Sequence, residues 1–191
     1  MKVLITGASG FIGQHLSKHL LALDHEVTLV TRSSKIQKRV SKIRVRVQVG
    51  DSLLAASDDP LFLGLRGDDA REFRLLTLDG DALRRGGEDL FILGGPDDPE
   101  TNIAHPELND PGRPPLDAAR ITSVYVRKGF EPIPNVRALG EMDDRLEIAW
   151  AEVEIDAENE PKAALFVRHG PIWLGLVAGL HFEIPRALEN T

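Results

Sequence analysis

The sequence predicts a mainly β fold, an antiparallel β-sandwich preceded by one short βαβ unit. Three observations point there. Helical apolar spacing occurs only near the amino terminus, where Ile12, Leu16, Leu20 and Leu23 recur. After residue 48 short β-like segments follow one another, separated by Gly, Pro, Asp and Asn. The charge balance also reverses: residues 1–48 carry nine Lys/Arg against Asp24 and Glu26, and the remainder carries 14 against 28, within a net charge of −7.

Taken in order, Lys2 to Thr6 is a short apolar run ended by a glycine, the pattern of a strand buried on both faces. A helix begins near Ser9 or Gly10, and Asp24-His25 ends its pattern. Glu26 to Thr31 is rich in β-branched residues and reads as a second strand, which must lie parallel to the first across the helical crossover. Residues 35–41 form a basic linker. From Lys42 to residue 191 the chain reads as a sandwich. Ile43, Val45, Val47 and Val49 alternate with Arg44, Arg46 and Gln48. Further strands are expected at Leu61–Leu65, Glu72–Leu78, Asp89–Leu93, Ile121–Arg127, Leu146–Ile155, Ala163–Val167 and Trp173–Ile184. Six prolines between Gly94 and Asp117 mark a long loop.

Composition excludes several classes. The 191 residues are 42% hydrophobic, enough for a packed core. With no cysteine, disulfide frameworks and cysteine-ligated zinc are ruled out. No apolar run approaches the roughly 20 residues that span a bilayer. Gly7, Gly10, Gln14, His15 and Lys18 interrupt the first apolar stretch, so it reads as folded structure and not as a secretion signal, and a cytoplasmic location is expected. Lys35, Lys38, Arg39, Lys42, Arg44 and Arg46 could form a basic arm, but no aromatic residue interleaves them for stacking on bases, so nucleic acid is not the expected partner.

Gly7, Gly10 and Gly13 stand between the first strand and the helix. There the first glycine allows a tight turn, the second lets backbone approach a diphosphate, and the third lets the helix pack closely on the sheet. Helix-start N–H groups then face the anion. Residues 1–34, with Gly-Ala-Ser-Gly-Phe-Ile-Gly and Val-Thr-Leu-Val-Thr-Arg-Ser, resemble the Rossmann-like βαβ of the extended short-chain dehydrogenases/reductases, the NAD(P)-dependent epimerases and dehydratases. The resemblance implies a cofactor site at Gly7, Ser9, Gly10, Phe11, Ile12 and Gly13. Thr31-Arg32-Ser33 stands where NAD-specific members carry an acid, so Arg32 and Ser33 favour the 2′-phosphate of NADP. Val49-Gly50-Asp51 imitates the family's third strand and adenine-contacting aspartate, but the next buried strand is missing. The catalytic Tyr-x-x-x-Lys pair is missing too: Tyr125 is the one tyrosine, position 129 is Gly129, and Lys128 would point to the opposite face of a strand.

The later chain, from Val45-Arg46-Val47-Gln48-Val49-Gly50-Asp51 through Asp58-Asp59-Pro60-Leu61-Phe62-Leu63 to Leu90-Phe91-Ile92-Leu93, is similar to PLAT/LH2-like β-sandwiches. That likeness implies a module for a protein or lipid surface. Some members bind calcium, and Asp51, Asp58 and Asp59 would be its ligands here, because calcium takes six to eight oxygens. The family inserts loop tryptophans into membranes, whereas Trp150 and Trp173 fall within expected strands and read as core. His105, His169 and His181 are scattered, although His105 could serve a loop site with Asn102, Glu107 and Asn109. The leading expectation is a composite binding protein, a sandwich interaction module carrying a truncated NAD(P)-binding unit, without catalysis. The alternatives are an NADP-dependent epimerase or reductase, and a calcium-dependent lipid- or protein-binding module.

Overall fold

The structure, a computed structural model, describes residues 2–6, 16, 19–20, 22–23, 25–30, 38–68, 70–129 and 145–187. Its internal contacts divide the chain into two units, Met1–Gln37 and Lys38–Thr191.

In the first unit β1 (Lys2–Thr6) and β2 (Glu26–Val30) pair in parallel, Lys2 beside Glu26 and Thr6 beside Val30. Between them Leu16, His19, Leu20 and Ala22 are helical. Among the described residues this sheet has two strands. The apolar stripe read from the sequence is left partly uncovered, with Leu16 45% and Leu23 54% exposed. The glycine turn (Gly7, Ser9, Gly10, Phe11, Ile12, Gly13) and the Arg32-Ser33 pair lie outside the described residues.

The second unit is built from β3 (Val40–Val49), β4 (Leu61–Arg66), β5 (Ala70–Leu75), β6 (Glu88–Leu93), β7 (Ser123–Lys128), β8 (Leu146–Ala157), β9 (Glu160–Leu174) and β10 (His181–Ile184). They form two antiparallel four-stranded sheets, ordered β6-β3-β8-β9 and β10-β7-β4-β5. Alternation dictates the layering. On β3 the side chains of Val40, Ile43, Val45, Val47 and Val49 are each 1% exposed or less, and they join one core with Leu61, Leu63, Leu65, Phe73, Val124 and Val126 of the other sheet. Burying such side chains contributes roughly 1.5–3 kcal/mol each, so β3 is among the strongest ties in the sandwich.

The intervening residues of β3 explain the reversal of charge. Arg44 meets Glu154 at 3.0 Å and Asp156 at 2.6 Å on β8, and Arg46 meets Glu152 at 3.2 Å. Lys42 meets Asp98 and Glu100, at 2.8 and 2.7 Å, and Lys38 meets Glu160. Lys38, Lys42, Arg44 and Arg46 of the basic run therefore form one side of an ion-pair ladder within the sandwich, while Lys35 lies outside the described residues. The expected linker, residues 35–41, runs past the true start of the sandwich: Val40 is buried and donates its N–H to Leu116, and Lys38 accepts from the N–H of Ala118.

Two further expectations change. The segments Ala163–Val167 and Trp173–Ile184 rearrange into one long strand, β9, and a short one, β10, because Gly175 and Gly179 exchange backbone hydrogen bonds at 2.9 Å and fold the apolar Leu176-Val177-Ala178 into a turn. The proline-rich loop is built into the sandwich edges. Asn102 binds the backbone of β6, accepting from Ile92 N–H at 2.7 Å and donating to the Leu90 carbonyl. Asn109 accepts from Arg74 N–H of β5 at 2.9 Å. Both amides occupy edge groups that would otherwise template pairing with another chain.

Candidate functional site

The loop that follows β3 and the turn that follows β9 each cross from one sheet to the other at the same end of the sandwich. Register places them there: Leu146 of β8 pairs with Leu174 of β9, and Leu61 of β4 pairs with Lys128 of β7. Backbone hydrogen bonds hold the loop at both ends. Gly50 donates to the Glu147 carbonyl, Glu147 donates to the Ala55 carbonyl, and Gly129 donates to the Pro60 carbonyl. Lys128 donates its N–H to Leu180 of the turn.

These two connections present adjacent apolar pairs to solvent. Leu53 is 78% and Leu54 63% exposed, and in the turn Leu176 is 44% and Val177 93% exposed. Leu54 adopts φ 67°. A branched side chain in the left-handed region carries a conformational cost that glycine or asparagine avoids. Neither burial nor backbone preference accounts for a leucine there. Leu78 and Leu108 are also exposed, singly and in other loops, as solitary surface leucines commonly are.

Beneath this end lie buried ionisable groups. Lys128 and Asp59 form an ion pair with side chains 1% and 7% exposed. Glu147 is 8% exposed, and its Oε2 has no hydrogen-bond partner. It packs under Gly50, where any larger residue would collide with its carboxylate. Sequence reasoning missed Glu147. The available signal was the interruption Leu146-Glu147-Ile148, three successive positions that are all buried.

The aspartates expected to bind calcium take separate roles. Asp59 turns inward to Lys128, Asp58 is exposed, and Asp51 lies 3.7 Å from Arg85. Among the described residues no three His, Asp or Glu side chains gather into a set that could hold a metal ion. His105 stands at 3.4 Å from Glu107 on an exposed turn, while Asn102 and Asn109 are committed to strand edges, so the four do not converge on a site. Trp150 and Trp173 are half-buried and do not belong to the core. Trp150 pairs with Gln48 and His169 on the outer face, and Arg145 lies over Trp173, 5.1 Å from the ring centroid.

Tyr125 and Lys128 point to opposite faces of β7, one to the outer surface and the other to the core. Tyr125 lies across Gly64 of β4, a cross-strand pairing that leaves no room for a side chain at position 64. Its hydroxyl donates to Glu72 at 2.9 Å, and Arg127 binds the same carboxylate twice, at 2.8 and 2.7 Å. The Arg127 guanidinium is the chief reason that the Glu72 carboxyl is held below its ordinary range. Burial first, and then the carboxylate beside it, push the Tyr125 phenol up.

Among known proteins, the sequence profile of the NAD dependent epimerase/dehydratase family matches residues 3–59, less than a third of the chain. No curated protein matches. Solved structures resemble the sandwich. The alpha-toxin of Clostridium perfringens, from avian strain SWCP, aligns with 80% of this chain and 33% of its own at 14% identity, with a TM-score of 0.50. The alpha toxin of Clostridium absonum aligns with 79% of this chain and 34% of its own at 12% identity and TM-score 0.50. A coral 8R-lipoxygenase, described as activated by calcium through a C2-like domain, aligns with 77% of this chain and 17% of its own at 8% identity and TM-score 0.50. The chain thus spans about a third of the toxins and a sixth of the lipoxygenase. At these identities the likeness concerns the fold, and it is consistent with the PLAT/LH2-like resemblance of the sequence. Among the described residues no helix is long and apolar enough to cross a membrane.

The family profile implies NAD(P), and the fit can be judged on its third segment. A dinucleotide-binding half needs a third strand in the same parallel sheet. The matched segment that would supply it is β3, whose two edges are already paired antiparallel to β6 and β8. A micromolar ligand contributes only about 8 kcal/mol, no more than the burial of the five β3 side chains opposes. Among the described residues, the segment that would complete a dinucleotide site does not fit that role.

Proposed function

We propose that this chain is a binding protein without catalytic activity, in which a β-sandwich interaction module carries an incomplete nucleotide-binding unit. The sandwich docks on an apolar surface, such as a lipid layer, through Leu53, Leu54, Leu176 and Val177. The observation that carries this reading is Leu54, exposed and in a backbone conformation that disfavours leucine. A residue kept against both its solvation and its conformational preference is supported by a use outside the fold.

The test separates binding from folding by their signs. Leu54→Gly relieves the left-handed conformation and is expected to raise the melting temperature, because glycine accepts positive φ without strain. The same variant, and more so with Val177→Ser, is expected to sediment less with phosphatidylcholine vesicles. Equal sedimentation of the variant and the parent would overturn the lipid-docking reading.

A calcium-dependent form of this activity is the second reading. The observation favouring it is that the unpartnered Oε2 of Glu147 lies beneath Gly50, whose neighbour Asp51 presents a carboxylate 90% exposed. Calcium would then raise both vesicle binding and the melting temperature by linkage. An unchanged midpoint in millimolar calcium removes it.

A further inference from the structure

We infer that, among the described residues, the parallel sheet of the first unit ends at β2, that residues 38–51 have been taken over by the sandwich, and that the chain by itself binds no NAD(P). The inference goes beyond the docking reading and does not depend on it. The family profile runs through residue 59 without a break, so from sequence the segment Val45-Arg46-Val47-Gln48-Val49-Gly50-Asp51 has two possible homes. Four features of the structure place it in the sandwich.

The pairing of β3 is complete on both edges. Ile43 to Gln48 pair with Leu93 to Glu88 on one side, and Val40 to Val49 pair with Ala157 to Ile148 on the other. Its alternation suits one buried face and one charged face, whereas a strand of a doubly covered parallel sheet is apolar on both. The side chains of Lys42, Arg44 and Arg46 find their carboxylates on β8 and in the loop after β6, partners that a parallel position beside β2 would not supply. The residue that resembles the adenine-contacting aspartate is held at the loop end of the sandwich: Val49 donates to Gly87, Gly86 donates to Gly50, and Asp51 stands beside Arg85.

The first unit shows the counterpart of this loss. A parallel pair of strands needs cover on its faces and neighbours on its edges. Here the described sheet stops at two strands, and Leu16 and Leu23 of the helical stripe remain about half exposed. A pyrophosphate turn without the third strand has no platform for the adenosine half of the ligand.

The experiment uses the full chain and its lack of native cysteine. Arg46 and Glu152, register partners on the outer face of β3 and β8, are changed together, as Arg46→Cys and Glu152→Cys, and bridged with dibromobimane. NADPH fluorescence is titrated on the parent, the open variant and the bridged variant. Circular dichroism melting confirms that each is folded. The expected result is quantitative bridging at a rate unaffected by NADPH, and no saturable change in NADPH fluorescence up to millimolar ligand in any of the three proteins. Micromolar NADPH binding by the parent overturns the inference, whether bridging abolishes it or leaves it intact. Protection of the cysteines by NADPH also overturns it, because that would place β3 elsewhere in the liganded state. Vesicle sedimentation is unaffected by any of these outcomes, so the docking reading and this one fail separately.

Discussion

β2 and β3 fall within the same family match, have similar β-branched content, and end in different architectures. Glu26-Val27-Thr28-Leu29-Val30 pairs in parallel with β1. Val40 to Val49, only ten residues further along, pairs antiparallel with two strands that come from far along the sequence. The difference is in what stands between the apolar residues. Arg44, Arg46 and Gln48 alternate strictly with valine and isoleucine, so β3 must keep one face in water. The charged residues of β3 suit a strand with one face in water, and their partners lie on β8 and in the loop after β6.

The sharpest way to break this comparison is to charge each strand. Val45→Asp places an unpaired carboxylate in a fully buried site and is expected to unfold the sandwich, a loss of more than about 4 kcal/mol, seen as collapse of the urea midpoint. Val27→Asp is expected to leave that midpoint unmoved. Equal effects would mean that β2 and β3 belong to one cooperative unit.

Asp59, the last matched residue, gives the next largest effect. Asp59→Ala leaves Lys128 buried without its partner and should cost about 3–5 kcal/mol, while the double change Asp59→Leu with Lys128→Met recovers most of it. A small effect from the single change would show that the end of the matched segment is not held by the sandwich.

The ladder on β3 predicts an acid-dependent term. Hydrogen bonds to Asp98 and then Glu100 raise the Lys42 pKa. Burial, the largest single influence on the Asp98 carboxyl, would raise it, but the Lys42 hydrogen bond, the Glu100 N–H and the charges of Lys42 and Arg44 together outweigh it, and both Asp98 and Glu100 lie below their ordinary values. For carboxyls so lowered, the unfolded chain binds more protons, and the stability they contribute is present above the ordinary carboxylate pKa of about 4 and lost as pH falls below it. Lys42 has the opposite sign, its share being lost only as pH rises past its raised value. Lys42→Met should therefore flatten the acid limb of a stability-against-pH profile by lowering its neutral plateau, with little change at acid pH where both carboxyls are protonated. The smallest effect belongs to Arg46→Ala, an exposed pair expected to matter by about 0.3 kcal/mol, measured by urea titration. A larger loss would mean that the ladder helps to choose the sheet as well as to solvate it.

Much of the sandwich was legible because its signals are local. Alternation marked β3, β4, β6, β7 and β8 within a few residues of their observed ends, and proline marked the long loop. The strand ends near residues 160–184 were harder, since Leu176, Val177 and Leu180 have the composition of a strand and only two glycines announce a turn. The edge roles of Asn102 and Asn109 were illegible for another reason: an amide that binds a strand 10 or 35 residues away resembles a polar loop residue in sequence. The exposure of Leu53, Leu54 and Leu176 was hidden likewise, because a leucine in sequence carries no sign of whether it is covered.

By itself the sequence determined the periodicities, the absence of cysteine chemistry, the spacing of Gly7, Gly10 and Gly13 and the lack of a Tyr-x-x-x-Lys pair. These are properties of residue types and short spacings. Tertiary structure alone decided that Lys38, Lys42, Arg44 and Arg46 are half of an ion-pair ladder, that Asp59 faces Lys128 while Asp51 and Asp58 stay at the surface, and that β3 serves the sandwich. Each of those outcomes depends on partners 58 to 112 residues away, and only the packed sheets bring such partners together.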